Sequence, residues 1–291
     1  MNIDDTSQSK MNKAYKISSN LVRNRLILED EMNAKRLERI SESDIIVVRG
    51  TYDHIHLVLK SLNIPFIEID EQELRHFKLN PRQTVFVNCA SSNDPQTGRI
   101  LSTFVNEGGQ LITTDWALKH VIEVGFPGYI KYNEKPTADE VVRIEIVDRD
   151  NPILKGFLDE EKDTEPLWWL EGSSYPIEII DTERVNVLVR SKEIGEKYGA
   201  DPVIVHFQYG KGNVYHMISH FYLQRTETRD KKQAAPAAEY AKAKKAPKEV
   251  VDVFEEAEGL DYGSVQSATT SAEFINRMII EQQKRYEEEE K

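Results

Sequence analysis

The sequence predicts an α/β fold: a three-layer sandwich with a mainly parallel sheet extended by antiparallel strands, plus an N-terminal helix. Three observations carry this. Apolar runs of strand length alternate with helix-patterned stretches from Asp44 to about Val124, with connections too long for hairpins. After Phe126-Pro127-Gly128 the runs shorten and partly alternate, as antiparallel strands do. A Gly-Lys-Gly-Asn tight turn at 210–213 joins two such runs into a hairpin.

The elements follow in order. Residues 1–10 are polar and expected to be unfolded. From Lys10 to Ile40, Ala14, Ile17, Leu21, Leu28 and Met32 recur near helical spacing, which predicts an amphipathic helix with a break near Glu29-Asp30. Residues 42–223 and 259–286 form the expected α/β domain. Ile45-Ile46-Val47-Val48 is its first buried strand, and Tyr52 to Leu62 its crossover helix. Pro65–Asp70, Thr84–Cys89 and Gly108–Thr114 supply three more strands, with helices at 71–77 and 99–105 between them. Val141–Val147, Tyr175–Ile180 and Val185–Val189 are expected to extend the sheet antiparallel. Leu167-Trp168-Trp169-Leu170 suits core or lid packing. The Ala/Lys/Pro-rich stretch 224–258 is expected to be an exposed, flexible insertion. Ser271 to Arg285 is a helix with Ser271 as N-cap and Phe274, Ile275, Met278 and Ile279 on its apolar face. Residues 287–291 are a solvated acidic tail.

Composition narrows the function classes. A net charge of −12 argues against general nucleic-acid binding, which needs an excess of Lys and Arg. The single cysteine, Cys89, excludes an intramolecular disulfide and suits a reducing compartment. No apolar run approaches the roughly 20 residues of a membrane helix, and the N-terminus lacks a signal-peptide pattern. The expectation is a cytoplasmic protein with no membrane partner.

Ligands in open α/β sheets bind at the carboxyl ends of the strands. That rule brings Tyr52, Asp53 and His54 after the first strand to one rim, with Ser91, Ser92 and Asn93 after the third. Asp115 and Trp116 follow the fourth strand, and His220 a late one. Asp115 and His220 are the candidate catalytic pair; the others are candidate ligand-binding residues. Asp and His mixtures can do acid–base work or bind a metal, but no local metal-ligand spacing is present, and neither metal nor cofactor is assigned. The competing reading makes Asp53 and Asp115 helix caps. His54 and His56, two apart on one helix, are not expected to face one another. Cys89 is expected to be a small buried hydrophobe.

The βα repeat from Asp44, the strand-turn-helix at Thr113-Thr114-Asp115-Trp116-Ala117, the hairpin at Tyr209–Val214 and the Ser219-His220 that ends its second strand together resemble the class I glutamine amidotransferase-like superfamily. The likeness is to its divergent branch, with trehalose-utilisation-like proteins and the domain found in gliding-motility and intraflagellar-transport proteins. It covers about residues 44–223 and 271–285. The resemblance implies a Cys at the elbow and a late His with Glu two residues on. Here Asp115 falls near the elbow, His220 matches the His, and Tyr222 stands in place of Glu. Without the elbow Cys, glutaminase activity is not expected, since Asp cannot form a thioester. Two functions follow: a non-catalytic scaffold or binding subunit with a protein partner on the N-terminal helix or the insertion, or a hydrolase or binder of a carbohydrate- or nucleotide-like molecule using Asp53, Asp115 and His220.

Overall fold

The computed structural model describes residues 5–89, 94–156, 166–222 and 231–289. Ser91, Ser92 and Asn93 lie outside them, as does the part of the expected insertion before Lys231. Four apolar runs become the parallel strands β1 (Ile45–Val48), β2 (Ile67–Ile69), β3 (Thr84–Val87) and β4 (Gln110–Thr114). All side chains of β1, β3 and β4 are buried, as strands covered on both faces require. Helices α3 (Ile55–Ser61), α4 (Glu71–Leu74) and α5 (Pro95–Glu107) make the crossovers. Past β4 the chain makes a π-helical turn over Leu118–Ile122 and the single turn α6 (Glu123–Gly125).

The eight-stranded sheet has the order β2-β1-β3-β4-β12-β11-β10-β7. Strand β12 (Gly212–Met217) runs parallel to β4, with His216 opposite Thr113 and Met217 opposite Thr114. Strands β11 (Pro202–Tyr209), β10 (Val185–Arg190) and β7 (Glu145–Ile146) then extend the sheet antiparallel. At the β11–β12 turn Gly210 holds φ +58°. A Cβ on Gly212 would stand 2.2 Å from the carbonyl oxygens of Val105 and Gly109, so only glycine lets the hairpin approach α5.

Two expected extension strands behave differently. Strand β9 (Ile177–Ile179) leaves the main sheet to pair with β5 (Ile130–Tyr132). The 141–147 run divides: β6 (Glu140–Arg143) pairs with β8 (Leu167–Leu170), and only β7 joins the main sheet. Short strands of mixed polarity carry little register information, so tertiary partners decide their pairing.

The N-terminal helix breaks where the sequence indicates. Helix α1 (Asp5–Glu29) stops before Asp30, whose carboxylate caps α2 (Glu31–Glu38) by accepting the Met32 N–H. The expectation that residues 1–10 are unfolded fails from Asp5 onward. Met11, Ala14 and Tyr15 are buried, and Lys10 pairs with Asp261 at 2.7 Å, so the helix start is anchored from the far end of the chain. Helix α10 (Tyr262–Glu289) is longer than expected, and Ser271 lies inside it instead of capping it. The capping carboxylate is Asp261, which accepts the N–H of Ser264 at 2.8 Å.

The stretch expected to be a flexible insertion is ordered from Lys231. It forms α8 (Ala237–Ala243) and α9 (Lys248–Glu255). Tyr240 is only 1% exposed and meets Tyr262 edge to face at 5.1 Å. Alanine is the best helix former and lets helices approach closely, so a composition typical of exposed segments here makes a packed helix. Among the described residues no helix is long and apolar enough to cross a membrane.

Candidate functional site

Four chain segments bring reactive groups together at the carboxyl end of the sheet. Asp115 follows β4 directly and holds φ +47°, unusual for a non-glycine residue. The backbone must reverse there, because the Asp115 N–H still extends the ladder to Met217 while the Leu118 N–H already turns back to the Asp115 carbonyl. Strained strand-to-helix elbows of this kind present a side chain at the head of a sheet.

The Asp115 carboxylate does not cap the following helix. Its Oδ1 accepts the Tyr175 N–H at 2.9 Å, and its Oδ2 accepts the Ser174 hydroxyl at 3.2 Å. The capping reading of Asp115 is therefore overturned: positive φ swings the side chain across the sheet end toward the 173–175 loop. His220, just past β12, places Nε2 3.4 Å from Asp115 Oδ2. Its Nδ1 lies 3.4 Å from Glu171 Oε1, which the His220 N–H also approaches at 3.4 Å. A carboxylate–imidazole–carboxylate row results, with side chains 4%, 10% and 13% exposed from Asp115 through His220 to Glu171.

Cys89, expected to be an inert hydrophobe, is buried but is part of this site. Its Sγ lies 3.7 Å from Asp115 Oδ2, and its N–H donates to Thr114 Oγ1. Burial, reinforced by the Asp115 charge, pushes the thiol up to about 11. At neutral pH it is protonated and a poor nucleophile.

Asp53 is close by but committed to structure. Its Oδ1 accepts the N–H groups of His54 and Tyr222; its Oδ2 accepts the Thr114 hydroxyl and the Phe221 N–H. It thus pins the loop carrying His220 to β4, and helix α3 begins two residues after it, at Ile55. Neither a helix cap nor a free catalytic carboxylate describes it. His54 precedes α3, so its ring escapes helical spacing and meets His56 edge to face at 5.6 Å, against expectation. Tyr222, where the resemblance implies Glu, turns its hydroxyl to Asn12.

Glu171 was not legible as a site residue. It directly follows β8, a segment with no role at the rim in the sequence pattern. Only Leu170-Glu171-Gly172, a carboxylate closing an apolar run, marks it. Trp168 and Trp169 of the same strand line a small cavity beside His220 with Leu167 and Ser219, and the Trp168 Nε1–H donates to Ser219 Oγ at 2.6 Å. The cavity volume is about 30 Å³, room for roughly one water. On the Asp115 side a row of rings runs Tyr52–Trp116–Tyr175–Tyr132, with centroids 5.2, 5.5 and 3.9 Å apart; Tyr52 is 44% exposed.

The electrostatics of the row are coupled. Burial raises Glu171 from 4.5 to about 7. For His220 burial acts downward, but the Glu171 and Asp115 carboxylates outweigh it and hold the imidazole well above 6.5. Both groups bind protons more tightly when folded. The stability Glu171 contributes is complete below pH 4.5 and is lost as pH rises through about 7. That of His220 is complete below pH 6.5 and is lost at higher pH. At about 1.4 kcal/mol per pH unit, the Glu171 contribution is on the order of 3 kcal/mol. Glu171→Gln is therefore expected to stabilise the protein by about 1–3 kcal/mol at pH 8 and to flatten the pH 4.5–7 limb. Chemical denaturation at several pH values reads this out; an unchanged slope would remove Glu171 as the titrating group.

Fold and site together define an α/β sandwich with a buried acid–base row at the head of its sheet. No protein-family profile matches the sequence, and no curated protein matches it. Solved structures with a similar chain path include a glutamine amidotransferase from Thermotoga maritima: 11% identity over 81% of this chain and 97% of that one, TM-score 0.47. A putative ThuA-like protein from Bacteroides uniformis gives 10% identity over 62% and 83%, TM-score 0.43. An exo-β-1,4-mannosidase from an Opitutaceae bacterium gives 12% identity over 60% and 31%, TM-score 0.41. The chain spans less than a third of the length of that mannosidase and of the β-galactosidases it also matches. At such identities the likeness concerns fold alone.

Proposed function

We propose that the chain is a hydrolase of a small carbohydrate- or nucleotide-like molecule, with Asp115 and His220 as its acid–base pair. The observation that carries this is the row itself: Asp115 on a strained elbow, His220 at 3.4 Å, and Glu171 at 3.4 Å beyond. His220, held as the imidazolium, donates its Nε2 proton to the leaving group. Asp115 takes a proton from the attacking water. Proton transfer from Asp115 to His220 across their contact then restores both. Glu171 orients and stabilises the imidazolium. Tyr52, 44% exposed at the end of the aromatic row, offers a stacking surface for a sugar or base ring. A cytoplasmic location belongs to the same reading, supported by the free buried thiol of Cys89.

The test is turnover of a panel of nitrophenyl glycosides and nucleotide esters. Asp115→Asn tolerates positive φ, and His220→Gln keeps most of the volume. Each is expected to lower kcat/KM about 10²–10⁴-fold with the fold retained. Turnover unaffected by either change, or none on any of the panel, would defeat the hydrolase. A second reading, a subunit docking a protein through its N-terminal helix, is supported by Ile27, Leu28 and Met32, which are 42%, 75% and 39% exposed. Loss of capture on Leu28→Asp, with turnover absent, would favour it.

A further inference from the structure

We infer that Cys89, Asp115 and His220 form a binding site for one divalent transition-metal ion, zinc by preference. The site is the one above, so what the ion would do rests on the hydrolase reading; that it binds rests on geometry. Sequence spacing conceals it, because the donors are far apart along the chain and reach one point only through β3, β4 and β12 ending side by side. One ligand atom from each of the three lies within 4.8 Å of the others.

Two of the three ligand separations, both measured to Asp115 Oδ2, match a tetrahedral ion. With metal–ligand bonds of about 2.0–2.3 Å, a nitrogen and an oxygen donor should stand about 3.4 Å apart, and a sulfur and an oxygen about 3.6 Å. The observed separations are 3.4 Å from His220 Nε2 to Asp115 Oδ2 and 3.7 Å from Cys89 Sγ to the same oxygen. A second, independent observation points to a ligand. His220 Nε2 is buried and faces both groups; its 3.4 Å contact with Asp115 Oδ2 is an ion-pair contact not aligned as a hydrogen bond, which leaves the nitrogen lone pair open to an ion once its proton is released. Glu171 completes the pattern at His220 Nδ1: a metal-bound imidazole characteristically gives its other N–H to a carboxylate, which fixes the tautomer and leaves Nε2 free to coordinate. The mixed sulfur, nitrogen and oxygen set suits zinc or cobalt and not magnesium or calcium, which prefer oxygen alone.

Binding releases the Cys89 thiol proton and the His220 Nε2 proton to solvent. The ion then stands where His220 and Asp115 would share a proton. Three protein ligands leave one position for water, the arrangement of catalytic zinc sites. In the loaded protein, activation of water would pass from the carboxylate to the ion.

The test uses the full chain, stripped with a chelator and titrated with Co²⁺, then with Zn²⁺ in competition. The expected result is one Co²⁺ per chain with a thiolate-to-cobalt charge-transfer band in the near ultraviolet, displaced by Zn²⁺. Cys89→Ser should abolish the band and weaken binding at least about tenfold. Glu171→Gln should keep the band and weaken binding about 10–100-fold, as expected for a group that positions the imidazole. Cys89→Ala serves if the serine variant does not fold, and the wild-type spectrum needs no variant. Absence of stoichiometric Co²⁺, binding without the thiolate band, or a band that survives Cys89→Ser would overturn the site. Hydrolysis by chelated protein with no cobalt band would sink the metal and leave the hydrolase. A cobalt band without turnover would do the reverse.

Discussion

A chain ending at Thr270 is expected to show no cooperative unfolding transition. Helix α10 is hydrophobic along one long face, and the removed part carries Phe274, Ile275, Met278 and Ile279, all 1% exposed or less. Each such side chain contributes about 1.5–3 kcal/mol on burial, so the four together contribute about 6–12 kcal/mol. That is the size of a domain's whole stability, about 5–15 kcal/mol. Polar losses add to it. Gln110 Nε2 would lose the Met278 carbonyl that accepts from it at 3.0 Å inside the core. Glu29 would lose Arg277, which bridges it to Glu273. Thermal melts followed by circular dichroism decide the matter. A cooperative transition within a few degrees of the full chain would mean that α10 is an appendage, and the burial argument would be wrong.

Replacing Asp53 by Ala is expected to destabilise the fold by about 3–5 kcal/mol, the largest effect of any single substitution considered for this site. The side chain is 1% exposed and contributes little apolar packing. The cost comes from the donors left behind. The Thr114 hydroxyl and the Phe221 and Tyr222 N–H groups converge on it at 3.0, 3.3 and 3.3 Å. A buried donor without an acceptor costs about 1–3 kcal/mol. Asp53→Asn keeps one acceptor oxygen and turns an amide donor toward Thr114 and Phe221, so it should recover only part of the loss. Activity should fall in both variants with instability, since the Phe221-Tyr222 anchor follows His220 directly. Urea denaturation measures the difference. Loss of less than about 1 kcal/mol in Asp53→Ala would mean that Asp53 is held for chemistry and not for structure.

What could be read in advance was what repeats along the chain. Ile45–Val48 and Thr84–Val87 declared buried parallel strands because an apolar run of that length, bounded by polar turns, has few other stable environments. The break at Asp30 was visible because a capping residue acts within three positions of itself. Asp115 and His220 were placed at the rim by strand-end logic, with the family resemblance pointing to the same two positions. The α8–α9 segment defeated the same approach, because alanine serves a packed helix and an exposed linker equally well and only Tyr240 distinguished them. Strands β6 and β9 defeated it because short strands take their partners from tertiary contacts.

The sequence by itself determined the parallel core, the broken N-terminal helix, the late hairpin and two of the groups at the head of the sheet, all set by short-range pattern. Only the tertiary structure decided that Glu171, from a strand outside the main sheet, reaches His220 and that Cys89 belongs to the site. It alone showed that Asp53 anchors a loop and that the Asp115 carboxylate turns away from its helix. The physical reason is one of range. Caps, turns and periodicity act over a few residues, whereas the site is assembled by contacts between residues 89, 115, 171 and 220, whose proximity follows from strand order and loop closure and leaves no spacing in the chain.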